Sequence, residues 1–226
     1  MKKVEIFGDS ILRGVQVNPN NMRYHVNNNI DLELIGKKYE LDINNRSKFG
    51  CTVTKGYSLL ERYLRDDHLC DTILMGYGGN DCDFDWKAIS KNPDDEHLPN
   101  TPINIFIDTY NRIIELLNKK GILLILTNLT PLEPQRFFDW FCNGLDKENI
   151  LKWLGTINTI YRFQEYYSSI IEKIAIKTNT RLIDLRGAFL KHRRIDSFLC
   201  EDGTHPSTQG QKIITEAFLC FAEKLQ

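Results

Sequence analysis

The chain has 226 residues, 42% hydrophobic and 26% charged, a composition that suits a soluble globular protein able to bury a sizeable core without staples. Its 29 basic and 30 acidic residues nearly cancel, which argues against nucleic acid or an anionic membrane surface as the main partner. No apolar run approaches the roughly 20 residues that span a bilayer, so no membrane insertion is expected.

The chain starts Met1-Lys2-Lys3 and then Val4 to Asp9. The apolar part is short and soon broken by acids, unlike a secretory leader. The six cysteines (Cys51, Cys70, Cys82, Cys142, Cys200 and Cys220) are scattered, with none at CxxC spacing. An even count allows disulfides, but the missing leader and the large core favour reduced thiols and a cytoplasmic protein.

Val4 to Phe7 reads as a first strand, and Ser10 to Val15 as a helix start or turn. Residues 16–39 show turn signals, Asn18-Pro19-Asn20-Asn21 and Asn27-Asn28-Asn29, and little else. Tyr39 to Asn44 alternates apolar and polar residues, as an outer strand does. A loop over Asn45 to Cys51 leads to a helical pattern at Tyr57 to Leu64. Thr72 to Met75 is a continuous apolar run that fits a strand buried on both faces. Gly78-Gly79-Asn80-Asp81 follows as a tight loop, and residues 82–102 read as an irregular acidic insertion. Apolar residues from Ile103 to Leu117 repeat at three and four, and Gly121 closes that helix. Ile122 to Leu126 is the clearest buried strand, followed by a second irregular insertion, 130–149, rich in aromatics. A long helical pattern runs from about Ile150 to Lys177, then a strand from Arg181 to Leu185 and a last helix from Gln209 to Leu225.

Strand and helix alternate throughout, with no linker or repeat. That predicts one α/β domain over 1–226, with a mainly parallel five-stranded sheet between helices. In such a sheet the C-terminal strand ends share one edge, where ligands bind. Four pieces leave that edge: Ser10, Gly50-Cys51-Thr52, Gly78-Gly79-Asn80-Asp81, and Asp202-Gly203-Thr204-His205-Pro206.

A serine hydroxyl is a poor nucleophile unless a base takes its proton and donors hold the oxyanion that forms. His205 has Asp202 three residues before it. That acid can take the Nδ1 proton and leave the other nitrogen free as a base, or it can merely shape a turn. Asn80 can aim its amide into the crevice, or it can close an Asx turn. Gly50 can bring a backbone N–H to a substrate oxygen, or it can be an ordinary loop glycine.

Taken together, these residues resemble the SGNH (GDSL-like) hydrolase superfamily. Gly8-Asp9-Ser10 resembles its first block, Phe49-Gly50-Cys51-Thr52 its second, Gly78-Gly79-Asn80-Asp81 its third and Asp202 to Pro206 its last, in the family's order across the chain. Ile11 stands where the family most often has leucine, and the second block is thin, so Gly56 rivals Gly50. The resemblance implies a three-layer α/β/α fold of flavodoxin-like order and hydrolysis of esters or thioesters, with no metal or organic cofactor. It implies Ser10 as nucleophile, His205 as base and Asp202 as its orienting acid. The N–H groups of Ser10 and Gly50, with the Asn80 amide, would form the oxyanion hole.

His25, His68, His97 and His192 have no second His or Cys at ligand spacing. The acids from Asp81 to Glu96 lack the glycine and distal Glu of a calcium loop, and no phosphate loop is present. The insertions should rise beside the catalytic edge. There Phe84, Trp86, Phe138 and Trp140, with Asp9, are candidate contacts for a small-molecule ester; the aromatics could equally pack on the core or on another subunit. Deacetylation of a carbohydrate or another small ester is the preferred expectation. A lysophospholipase- or thioesterase-like activity on longer acyl chains, an acyltransferase, and an inactive binding module are the alternatives.

Overall fold

The computed structural model describes residues 1–27, 29–65 and 70–224. Asn28, His68 and Leu225, named above, lie outside the described residues. Strand β1 (Lys2–Gly8) leads into the one-turn helix α1 (Ser10–Arg13). Residues 16–39, nearly unread in the sequence, form the hairpin β2 (Val15–Asn18) and β3 (Arg23–Val26), turning at the Asn-Pro-Asn-Asn signal, and then helix α2 (Leu32–Tyr39). Asp31 caps α2 by accepting the Leu34 N–H at 2.8 Å. Tyr39, expected to open a strand, ends this helix, and its hydroxyl donates to the Leu219 carbonyl. The strand β4 spans Leu41–Asn45 instead.

The remaining framework is α3 (Val53–Arg65), β5 (Thr72–Gly76), α4 (Trp86–Lys91), α5 (Ile103–Lys119), β6 (Leu123–Thr127), α6 (Pro134–Phe141) and α7 (Lys147–Leu154). It closes with α8 (Asn158–Thr178), β7 (Arg181–Ile183), α9 (Leu185–Leu190) and α10 (Thr208–Glu223). The five-stranded sheet runs in the order β4-β1-β5-β6-β7, and every neighbouring pair is parallel. The two-residue period of a strand sends alternate side chains to opposite faces. Phe7, Ile73, Met75, Leu124 and Leu126 face one core with α3, α5 and α8. Ile6, Leu74, Ile125 and Ile183 face a second core with α2, α9 and α10. Apolar layers on both faces explain why β5 and β6 read as unbroken apolar runs.

Both stretches expected to be irregular contain helices. Residues 82–102 hold α4, capped by Asp85, which accepts the Ala88 N–H. The second insertion holds α6 and the start of α7. The pattern from Ile150 to Lys177 is two helices rather than one. Gly155, at φ +70°, takes the left-handed turn that stops α7 and lets the chain re-aim into α8. Together these helices build a third core around Phe84, Trp86, Ile89, Phe138 and Ile150. Trp86 stacks on Phe141 with ring centroids 4.1 Å apart. One further strand end moves: β7 stops at Ile183, and Leu185 already belongs to α9.

Among the described residues, no helix is long and apolar enough to cross a membrane. The six cysteines are free, and four of them are buried.

Candidate active site

At the C-terminal end of β1, Asp9 leaves the strand and caps α1, its Oδ1 accepting the Ile11 N–H at 2.9 Å. That cap fixes Ser10 as the first helical residue, with its hydroxyl at the sheet edge. Ser10 Oγ lies 2.9 Å from His205 Nε2, and His205 Nδ1 lies 2.5 Å from Asp202 Oδ2. A carboxylate can only accept, so Nδ1 carries the proton and Nε2 is free to accept from Ser10. The other Asp202 oxygen accepts the N–H groups of Thr204 and His205, each at 3.1 Å. Burial pushes the Asp202 carboxyl up, but the His205 ring and these two N–H groups outweigh it and hold it below the ordinary carboxylate range. The carboxylate therefore stays ionised and can stabilise an imidazolium beside it.

The loop carrying His205 follows α9 and a 3-10 helix (Ile195–Phe198) rather than leaving β7 directly. Several backbone bonds pin it. Cys200 N–H donates to the His205 carbonyl at 2.7 Å, and Glu133 N–H donates to the Gly203 carbonyl at 2.7 Å. The second bond ties the loop to the start of α6. From the other side, Gln16 of β2 donates to the Pro206 carbonyl at 3.2 Å.

Asn80 is brought beside these groups by the turn after β5. Its amide donates to the Cys51 carbonyl at 3.3 Å and to Asp9 Oδ2 at 3.4 Å, both long bonds. Asp81 is fully buried and accepts the Val53 N–H through both oxygens, at 3.0 and 3.1 Å. It thereby joins the Asn80 loop to the segment from Gly50 to the start of α3. The two candidate glycines differ in place. Gly56 lies inside α3 with its N–H donated to Thr52 and the Tyr77 ring 2.4 Å from where a Cβ would stand. Gly50 lies in the loop, at φ +65°, with open space at its Cβ position.

Asp9 turns inward rather than toward a ligand. It is 3% exposed, and burial, outweighing the Ile11 N–H, pushes its pKa up to about 6. Phe138 also departs from expectation: it is buried in the third core, against Phe141. Phe84 and Trp86 pack in that same core and border a cavity of about 40 Å³ shared with Gly79, Gln164 and Thr204. A second cavity of about 40 Å³ lies beside Asp9, Gly79 and Thr204. A much larger one, about 650 Å³, opens between α2, α10 and the other end of the sheet, and none of the candidate site residues lines it.

Trp140 meets one of two rings beside His205 that the sequence did not single out. Tyr24 of β3 sits 5.1 Å from the His205 ring, and Phe49 lies parallel to that ring at 6.1 Å. Tyr24 in turn meets Phe49 at 5.2 Å and Trp140 at 5.8 Å. Burial, and then the charge of Asp202, raise the Tyr24 phenol above its ordinary pKa. The signal for Tyr24 was the turn at Asn18 to Asn21 flanked by alternating residues, which marks a hairpin. Phe49 stood in the second block, where only its glycine neighbour drew notice. Among the described residues, no cluster of three His, Cys, Asp or Glu side chains could hold a metal.

The profile of the GDSL-like lipase/acylhydrolase family matches residues 6–213. No curated protein matches the chain. Among solved structures, a lipase/acylhydrolase from Enterococcus faecalis superposes with a TM-score of 0.70 at 17% identity, covering 100% of this chain and 97% of that one. A variant of the acetyl xylan esterase Axe2 from Geobacillus stearothermophilus superposes with a TM-score of 0.69 at 18% identity, covering 98% and 94%. An alpha/beta hydrolase from the metagenome of Lake Arreo, Spain, reaches 0.64 at 20% identity, covering 100% and 96%. At these identities the likeness is one of fold.

Proposed function

The chain belongs to the GDSL-like lipase/acylhydrolase family, and on that premise we propose that it hydrolyses small carboxylic esters through an acyl-enzyme on Ser10. The observation that carries this reading is the unbroken hydrogen-bond chain from Asp202 through His205 to Ser10. As Ser10 Oγ bonds to the acyl carbon, its proton passes to His205 Nε2, and Asp202 stabilises the imidazolium. The carbonyl oxygen becomes an oxyanion facing the N–H groups of Ser10 and Gly50 and the Asn80 amide. The long bonds that Asn80 makes to Cys51 and Asp9 are weak enough to yield to that stronger, charged acceptor. The ester C–O bond then breaks, and the leaving alcohol takes the proton from His205. Water repeats the sequence: it gives a proton to His205 and frees Ser10 together with a carboxylic acid.

The acyl group is short in this reading. Acetyl esters of a carbohydrate or another small alcohol are the proposed substrates, and the shared fold with an acetyl xylan esterase agrees with that choice. A fluorophosphonate probe and p-nitrophenyl esters of rising chain length test the reading. The parent protein is expected to be labelled and to turn over acetate fastest, and Ser10→Ala to do neither. Absence of labelling and turnover in the parent protein would end it, and a maximum at long chains would move it to the lipase-like alternative.

A further inference from the structure

Resting on that esterase reading, we infer that Tyr24, Phe49 and Trp140 form the subsite for the alcohol half of the ester, and that the alcohol is a sugar ring. The direction follows from proton transfer. His205 Nε2 must protonate the leaving oxygen, so the alcohol half lies on the His205 side, while the carbonyl oxygen lies toward Asn80. The rings stand on the His205 side: Tyr24 at 5.1 Å and Phe49 at 6.1 Å between ring centroids.

Each ring comes from a different element: Tyr24 from β3, Phe49 from the loop before α3, and Trp140 from α6. All three supporting segments are anchored independently of any ligand. Lys48 N–H, next to Phe49, donates to the Gly8 carbonyl, so that loop continues the pairing with β1. The hairpin is tied down through Gln16, which bonds both Pro206 and Asn27. The start of α6 is bonded to the Gly203 carbonyl. Yet Tyr24 is 41% and Phe49 57% exposed. Apolar rings held rigid, clustered and exposed beside a reactive group form a surface that a ligand completes.

The chemistry of the rings selects the ligand. Their planes meet at 54° and 61°, so the rings present angled faces. Tyr24 and Trp140 each combine an apolar face with a polar tip. A pyranose has the matching form, with C–H groups on its face and hydroxyls on its rim.

The test holds the acyl group constant and changes the alcohol. Acetate esters of ethanol, phenol and a methyl pyranoside are assayed with the parent protein and with Tyr24→Ala, Phe49→Ala and Trp140→Ala, each checked for folding by circular dichroism. The ratio of kcat/KM for the acetylated pyranoside to that for ethyl acetate is expected to fall about tenfold in each variant, chiefly through KM. An unchanged ratio would overturn the subsite. A fall confined to phenyl acetate would assign the wall to aryl alcohols and overturn the sugar. If the parent protein hydrolyses none of the three, the esterase reading fails separately. Calorimetric titration of Ser10→Ala with the acetylated pyranoside then still decides the subsite: binding weakened about tenfold by adding Tyr24→Ala supports it, and no binding or equal binding refutes it.

Discussion

At the scale of single residues, the proposed mechanism turns on the side of Asp202 that faces His205. Asp202→Asn would keep shape and burial, but its amide nitrogen would donate to His205 Nδ1 where the carboxylate now accepts. The imidazole would then carry its proton on Nε2, toward Ser10 Oγ, and would no longer accept the serine proton. We expect kcat to fall by about 10⁴-fold with KM changed little. Single-turnover assays of p-nitrophenyl acetate check this, and a loss below tenfold would remove the His205–Asp202 pair from the rate-limiting step. Asp9 shows the complementary case. Adjacent to the serine, it faces the interior, where it caps α1 and meets the Asn80 amide.

At the scale of elements, the site depends on how closely α3 approaches the residue after β5. Gly56 allows the Tyr77 ring to lie where any other residue would place a side chain. Tyr77 is itself fully buried, and its backbone N–H and carbonyl both bond the Tyr110 hydroxyl. Gly56→Ala would gain about 1 kcal/mol of helix propensity. It would lose more through a clash with a ring that has no room to withdraw, since overpacking typically costs about 1–3 kcal/mol and occasionally more. Urea unfolding is expected to show net destabilisation of Gly56→Ala, and a variant as stable as the parent would contradict this packing. The insertions make the same point on a larger scale. Their aromatics serve first to fasten α4, α6 and α7 to one another, and Trp140 alone among the four aromatics singled out from sequence extends to the rings over His205.

For the whole molecule, burying carboxyls at one sheet edge makes stability depend on pH. Asp81 is raised to about 7, mainly by burial, which outweighs the hydrogen bonds from Thr101 and Val53. In the unfolded chain it titrates near the ordinary carboxylate value of 3.8. Between those pH values the folded state holds a proton that the unfolded state has lost. The stability this proton confers is complete below about pH 4 and disappears as the pH rises through about 7. Asp81→Asn removes the titration while keeping an oxygen to accept the Val53 N–H. The parent protein is therefore expected to lose stability relative to Asp81→Asn between pH 4 and 7, by up to about 1.4 kcal/mol per pH unit. Parallel curves of unfolding free energy against pH for the two proteins would refute the burial argument.

The sequence by itself determined the strands of the sheet, the layers on either side and the order of the four loops that leave its edge. It could do so because a strand buried on both faces must be apolar throughout, and a strand or helix period survives without knowledge of partners. Ser10, Asn80, Asp202 and His205 stood out only in combination, through the resemblance of their blocks to a known family; Asn80 and His205 taken alone could equally have shaped turns. Only the tertiary structure decided the rest. Short helices such as α4 and α6 run barely two turns, too few for a period to stand out against prolines and acids. The exposed strand β3 is only four residues long, too short for its alternation to settle the hairpin without its partner. Whether an aromatic fills a core or faces a ligand depends on what folds against it, so Phe138 went inside while Tyr24 and Phe49, from unrelated parts of the chain, came together over His205.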